Sequence, residues 1–340
     1  MKLWKKAGAL VLALALTLAL ASCGQQETQT QETEETPAAH YNVAALKGPT
    51  AMGLVKLMHD AESGAELTND YTFTLAASAD EVSPKLMQGE LDIACVPANL
   101  AAVLYQKTGG EIVTLGINTL GVLYIVENGN AVTSMADLAG KTIVASGKGS
   151  TPEYALRYLL RENGVDPDGG VVIDWKSEHS ECVPALASGA ATIAMLPQPF
   201  VTVAQSKLQD LRVALDLTEE WDALDNGSAL LTGVVVARKD VVEENPAAID
   251  AFLADYAQSV EWVNANTADA AALIGDYGIV DAAVAEKALP ACNIVCITGA
   301  EMKEKLSGYL QVLFEEDPSS VGAQAGDDAG LPGDDFYYGA

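Results

Sequence analysis

Histidine is the scarcest source of chemistry in this chain, with three residues in 340. Cysteine is limited to five, and no pair of Cys-x-x-Cys motifs occurs. A zinc framework is therefore excluded, metal capture is disfavoured, and no cofactor is expected. So few histidines, with no Gly-x-Ser-x-Gly elbow, leave no recognisable serine or cysteine catalytic set, and no enzyme activity is expected. Positive charge is also sparse: 19 basic against 47 acidic residues give a formal net charge of -28. Nucleic acid and anionic membrane surfaces are thus poor partners for the body of the protein. The loop Ser146-Gly147-Lys148-Gly149-Ser150 looks superficially like a phosphate loop but fails the pattern. Gly149 follows the lysine where Ser or Thr is required, and Thr142 stands where the leading glycine belongs.

Long apolar runs are missing too, except at the start. Lys2, Lys5 and Lys6 precede the run Ala7 to Ala21, and Leu20-Ala21-Ser22-Cys23 closes it. The run is short for a membrane span of about 20 residues. Residues 1–23 resemble a bacterial lipoprotein export signal, in which Cys23 takes the lipid. Acyl chains there would hold the mature protein on the extracytoplasmic face of the cell membrane without spanning it. Residues 24–39 are rich in Gln, Glu and Thr without core formers, and read as a solvated tether. Of the other cysteines, Cys95 falls in a buried strand, and Cys292 and Cys296 are close enough in sequence to pair. His179, beside Glu178, Glu181 and Cys182, reads as a solvated helix start.

What the body does contain is a repeat. Pro84-Lys85-Leu86 … Gly89 … Ile93-Ala94-Cys95-Val96-Pro97 is answered by Pro184-Ala185-Leu186 … Gly189 … Ile193-Ala194-Met195-Leu196-Pro197. Each copy predicts a short helix, a glycine stop, a buried strand and a proline that breaks it. Upstream, Gly48-Pro49-Thr50 and Gly149-Ser150-Thr151-Pro152 each open an amphipathic helix. Two copies of one α/β unit predict two lobes with a cleft between facing loops.

Strand patterns fall at 41–46, 71–76, 91–96, 111–117, 122–127, 141–145, 171–175, 192–196, 211–216 and 231–237, with helices between many of them. The alternation predicts α/β lobes with mostly parallel sheets. Beyond residue 238 the pattern is helical, led by a long helix that Asn245 caps and Pro246 opens. The chain crosses between lobes near 120–130 and 228–238. The polar C-terminal stretch ends in Phe336-Tyr337-Tyr338, which predicts a tail docked on the body.

In open α/β sheets, ligands sit beyond the carboxyl ends of the strands. That rule selects Thr50, Ala51 and Met52 after the first strand, Pro97 and Asn99 after the third, and Thr119 at the end of the fourth. It also selects Ser150, Thr151 and Gln198 in the second copy, and Thr232 adds a neutral hydrogen-bonding group. Thr50 and Ser150 also suit helix caps, Ser150 with Glu153 as a capping box. Tyr41, Tyr154, Trp175 and Phe200 are candidates for stacking on a planar ligand, and Lys47 and Lys148 are the basic residues of the loops.

The export signal, the Gly-Pro-Thr turn, Gly-x-x-Asp-Ile-Ala followed by Pro, and Asp137-Leu138-Ala139-Gly140-Lys141-Thr142-Ile143 together resemble the substrate-binding lipoproteins of ABC importers. The similarity is to the group for nitrate, sulfonates, taurine and thiamine-pyrimidine precursors, over about residues 40 to 338. It implies a periplasmic-binding-protein-like fold of type II, with two crossovers and a hinge that closes on ligand. Lobe one would hold 40–125 and 235–340, and lobe two 126–234. It further implies a monomer that captures a small polar solute, anionic or heteroaromatic, and delivers it to an ABC permease and ATPase. A ligand-sensing surface lipoprotein and an enzyme on the same scaffold are the competing readings.

Overall fold

The computed structural model describes residues 38–323 and 330–340. The expectations for the export signal, for Cys23 and for the tether up to residue 37 lie outside the described residues. None of the described helices is long and apolar enough to cross a membrane.

All ten expected strands form: β1 (His40–Leu46), β2 (Asp70–Ala76), β3 (Ile93–Pro97), β4 (Ile112–Leu120), β5 (Leu123–Glu127), β6 (Thr142–Ser146), β7 (Val172–Lys176), β8 (Ile193–Pro197), β9 (Arg212–Asp216) and β10 (Leu231–Arg238). An eleventh, β11 (Ile294–Ile297), was not anticipated. They build a six-stranded sheet of order β11-β4-β10-β3-β1-β2 and a five-stranded sheet of order β7-β6-β8-β5-β9. Five neighbours in each sheet share one plan: β2-β1-β3-β10-β4 in lobe one matches β7-β6-β8-β5-β9 in lobe two.

The expectation of mostly parallel sheets needs correction. The pairs β1–β2, β1–β3, β6–β7 and β6–β8 are parallel, but β5 and β10 pair antiparallel with both neighbours. Each of these strands enters its sheet from the other lobe, so it runs against the strands laid down by local helix crossovers. The sheets also place the crossings. β4 and β5 belong to different sheets and are separated by Gly121 and Val122, and the return lies between Asp216 and Leu231. The expected boundaries at 125/126 and 234/235 therefore fall inside β5 and β10.

The repeat seen in the sequence is a repeat in space. The helices Ala79–Met87 and His179–Ala187 each carry an internal proline and end in the same bonds. Gln88 N donates to Pro84 O and Gly89 N to Leu86 O; Ser188 N donates to Pro184 O and Gly189 N to Leu186 O. Gly89 and Gly189 sit at φ 78° and 74°, the left-handed turn that lets the chain leave the helix and enter β3 or β8.

β1 is buried on both faces, as a strand covered by helices must be. Val43 and Ala45 join the cluster under the helices Val55–Ser63 and Pro246–Ala265, and Ala44 joins the opposite one. That opposite cluster runs on into lobe two through Leu123, Ile125, Tyr158 and Trp221, and takes Leu306 and Tyr309 from the helix Gly299–Glu316. The C-terminal tail docks as expected. Phe336 is fully buried, and Tyr338 N donates to Thr114 O at 2.9 Å. Cys95, Cys182, Cys292 and Cys296 are all free thiols, so the pairing of Cys292 with Cys296 is not made.

Candidate functional site

A cleft of about 610 Å³ lies between the two sheets, within the size range of small-molecule sites. Six loops reach it, one from the carboxyl end of each of β1, β2, β3, β6, β7 and β8. The strand-end rule is therefore obeyed twice, once per lobe. The loops after β2 and β7, Ala77–Asp80 and Ser177–Ser180, line the cleft although the sequence reading did not select them.

Of the ten selected residues, Thr50, Pro97, Ser150, Thr151, Gln198 and Thr232 line the cleft. The other four do not. Ala51 and Met52 lie on the short helix Pro49–Met52, which turns them into the lobe-one core, where both are fully buried. Asn99 is buried behind the cleft: its Nδ2 donates to Ser320 O at 3.0 Å, and its Oδ1 accepts from Thr151 Oγ1 at 3.4 Å. Thr119 is not at a strand end. β4 continues to Leu120 because it is paired on both sides, by β10 and β11, and Thr119 Oγ1 donates to Asn118 Oδ1 at 2.9 Å.

The lining hydroxyls differ in what they leave free. Thr50 Oγ1 donates to Leu46 O at 2.9 Å and Ser150 Oγ to Gly147 O at 3.0 Å, so neither side chain caps its helix. Glu153 does not complete a capping box either, because its Oε2 accepts from Gly149 N. Thr151 Oγ1 is tied to Asn99 and to Tyr309 OH. Thr232 Oγ1, in contrast, is buried with no hydrogen-bond partner among the described residues. Gln198 accepts at Oε1 from Thr202 Oγ1 at 2.9 Å, while its Nε2 has no partner among the described residues. β10 passes close behind this wall at Gly233, where a Cβ would sit 2.5 Å from both Asn118 Oδ1 and Thr50 Cγ2.

His179 is the site residue that the sequence reading placed wrongly. It lines the cleft instead of standing in solvent. Its Nδ1 is hydrogen-bonded to Ser146 Oγ, and its ring lies 5.5 Å from that of Phe200 at 39°. Burial pushes its pKa down to about 4, so the ring is neutral at pH 7. The neighbouring acids suggested a surface, but Glu178 and Glu181 act as the reciprocal cap of the helix that His179 begins. The repeat held the signal: His179 stands where Ala79 opens the matching helix after β2. Of the four stacking candidates, Phe200 alone lines the cleft. Tyr41 is buried in lobe one, Tyr154 borders a separate surface hollow with Arg157 and Glu316, and Trp175 packs against the core from β7.

Among the described residues four charged ones line the cleft, Lys47, Lys148, Asp80 and Glu178, all exposed. Lys47 Nζ is tethered to Gly278 O at 3.2 Å. Among the described residues no cluster of His, Cys, Asp or Glu could hold a metal ion.

A family model described as an ABC transporter, phosphonate, periplasmic substrate-binding protein matches residues 64–288. No curated protein matches the chain. An ABC transporter structure from Parabacteroides distasonis superposes with a TM-score of 0.70 at 22% identity, over 86% of this chain and 99% of that one. The periplasmic aliphatic sulphonate binding protein SsuA from Escherichia coli gives 0.67 at 19% identity, over 84% and 94%. The periplasmic nitrate-binding protein NrtA from Synechocystis PCC 6803 gives 0.53 at 14%, over 70% and 66%. At these identities the likeness is one of fold.

Proposed function

Since the chain belongs to the phosphonate-type periplasmic substrate-binding proteins of ABC transporters, we propose that it is the lipid-anchored receptor of an importer. In this reading it captures a small polar solute, anionic or heteroaromatic, by closing its two lobes, and hands it to a membrane permease driven by an ATPase. It turns nothing over. The observation that carries the reading is the cleft lined by six strand-end loops, three from each lobe. Two lobes that each contribute half of a site gain ligand contacts when they close, which is how a hinge senses occupancy.

The test is to isolate the protein from its native membrane, unfold it, and identify released small molecules by mass spectrometry. One solute per chain, released unchanged, is expected; no released solute, or a chemically altered one, contradicts the receptor reading. We propose attachment through Cys23, on the apolar run that ends in Leu20-Ala21-Ser22-Cys23. Cys23→Ala is expected to move the protein out of the detergent phase or to stall its maturation, and normal maturation with unchanged partitioning argues against the anchor.

A further inference from the structure

We propose that the cleft takes a neutral, planar heterocycle with both donors and acceptors on its edge, stacked on Phe200 and read by Gln198, Thr232 and His179, and not an oxyanion. This rests on the receptor reading above and names its substrate class.

The first observation is electrostatic. Loop amides at helix starts are the natural anion holders of such a cleft, but in two of its six loops the chain's own carboxylates occupy amides of this kind. Glu153 Oε2 accepts from Gly149 N at 2.6 Å, in the loop after β6. Glu181 Oε2 accepts from Ser177 N at 2.9 Å and Glu178 N at 3.2 Å, in the loop after β7. An oxyanion in either loop would have to displace a carboxylate or sit against it. The side chains add no compensating field, because Lys47 and Lys148 are balanced by Asp80 and Glu178, and no arginine among the described residues lines the cleft.

The second observation is the inventory of unspent hydrogen-bonding groups. Among the described residues Thr232 Oγ1 is buried without a partner, Gln198 Nε2 has none, and His179 Nε2 has none after its Nδ1 is engaged by Ser146. All three groups are uncharged at neutral pH, and together they offer both donors and acceptors. A buried hydroxyl left unpaired costs about 1–3 kcal/mol, which a rotation of the Thr232 side chain toward the cleft relieves when a ligand edge is there to pair with it.

The third observation is shape. The Phe200 and His179 rings, 5.5 Å apart, line the same cleft as the aliphatic lobe-one residues Leu46, Pro97 and Leu100. An aromatic ring among apolar lining groups suits a planar ring and offers a tetrahedral oxyanion nothing.

The experiment is thermal denaturation of the full chain, in detergent, with two sets of probes at 1 mM. One set is uracil, cytosine, hypoxanthine and nicotinamide; the other is methylphosphonate, ethanesulfonate, taurine and nitrate. At least one heterocycle is expected to raise the Tm by about 3 °C or more, and no member of the second set is expected to do so. Phe200→Leu is expected to weaken heterocycle binding at least tenfold while leaving the unliganded Tm close to that of the parent. Gln198→Glu, which keeps the acceptor used by Thr202 and removes the free donor, is expected to do the same. A shift with an oxyanion overturns the substrate class and leaves the receptor reading standing. Silence from both sets also overturns the class, and the receptor reading is then decided by the solute released from native protein. Heterocycle binding that is indifferent to both substitutions overturns the placement.

Discussion

The two lobes share a strand order and differ in what they show the cleft. At positions one hundred residues apart, lobe one presents Leu46, Ala79 and Leu100 where lobe two presents Ser146, His179 and Phe200. Ala98 in lobe one, buried and off the cleft wall, corresponds to Gln198 on it. The backbone plan is duplicated while the chemistry is concentrated on one side. In the recognition proposed above, Phe200, Gln198 and His179 come from lobe two, while lobe one adds Thr232 of β10 and the aliphatic residues Leu46, Pro97 and Leu100. Such a division is available because strand-end loops are freer to vary, whereas inner strands such as β3 and β8 beneath them are held by burial.

In their cores the lobes are built alike: lobe one has its own cluster under the helix Pro246–Ala265, lobe two has its own around Val126, Val144, Cys182 and Leu186, and a third cluster is shared by both. Trp221 stands at the junction, fully buried, with its ring 4.8 Å from Tyr158 and 5.6 Å from Tyr309. Its Nε1 donates to Ser228 Oγ at 3.0 Å. The largest expected effect is therefore at this position. Trp221→Ala should cost about 3–5 kcal/mol in denaturant unfolding, and the parent should unfold in one transition. Separate unfolding of the two lobes in the parent would break the claim that they share a core.

Exchanging the lobes' own residues sharpens the comparison of their walls. Gln198→Ala gives lobe two the lobe-one residue and should weaken ligand binding about tenfold or more, a change of roughly 1.4 kcal/mol. Leu46→Ser gives lobe one the lobe-two residue and should change affinity less than about threefold. Titration calorimetry with the solute released from native protein reads both. Equal losses from the two exchanges would show that recognition is shared evenly between the lobes.

Much of this was legible in the sequence because it depends on local rules. The repeat, the ten strands and the helices between them follow from proline and glycine punctuation and from buried runs. What was not legible depends on long-range partners. β11 is a four-residue strand whose identity comes from pairing with β4, where Ile294 lies opposite Thr119, 175 residues earlier in the chain, and nothing local marks it. Asn99 looked like a ligand group, being polar at a strand end, until Ser320 supplied its buried partner. Ala51 and Met52 were selected by loop position, but the four-residue helix that carries them turns inward. His179 was misplaced because its acidic neighbours read as surface, and the capping bonds that consume them are visible only in three dimensions.

His179 has no ionisable counterpart in lobe one, so it should impose a pH dependence that belongs to lobe two alone. Its folded pKa is about 4, below the ordinary 6.5, because burial penalises the charged ring. Above pH 6.5 the ring is neutral folded or unfolded, and it contributes nothing to the pH dependence. As pH falls from 6.5 toward 4, the unfolded chain takes up a proton that the folded chain refuses, and stability declines. Below about 4 the loss levels off. The ceiling for one proton is about 1.4 kcal/mol per pH unit, and partial solvent access reduces it. His179→Gln should flatten the stability profile between pH 6.5 and 5. That window lies above the range where Glu127 and Asp335, whose carboxyls are held below their usual values by hydrogen bonds and by Arg212 or Lys239, begin to lose their own contribution. An unchanged slope in the variant would show that the ring is solvated after all.

The smallest effect is expected where the lobes meet at the surface. Arg161, on the helix Thr151–Glu162 of lobe two, pairs with Glu316 at the end of the helix Gly299–Glu316, which follows β11 of lobe one. The pair joins the same two helices as the buried contact between Thr151 and Tyr309, but its environment is different. The Arg161 side chain is 43% exposed, so water and salt screen the attraction, and holding two long side chains in one geometry costs entropy. A double-mutant cycle with Arg161→Met and Glu316→Gln should give a coupling below about 1 kcal/mol, shrinking further in 1 M salt. The corresponding cycle with Thr151→Val and Tyr309→Phe concerns fully buried hydroxyls and should give the larger coupling. If the surface pair proves the stronger of the two, the lobes are held by charge at their rim and not by the packed interior that Trp221 and Tyr309 share.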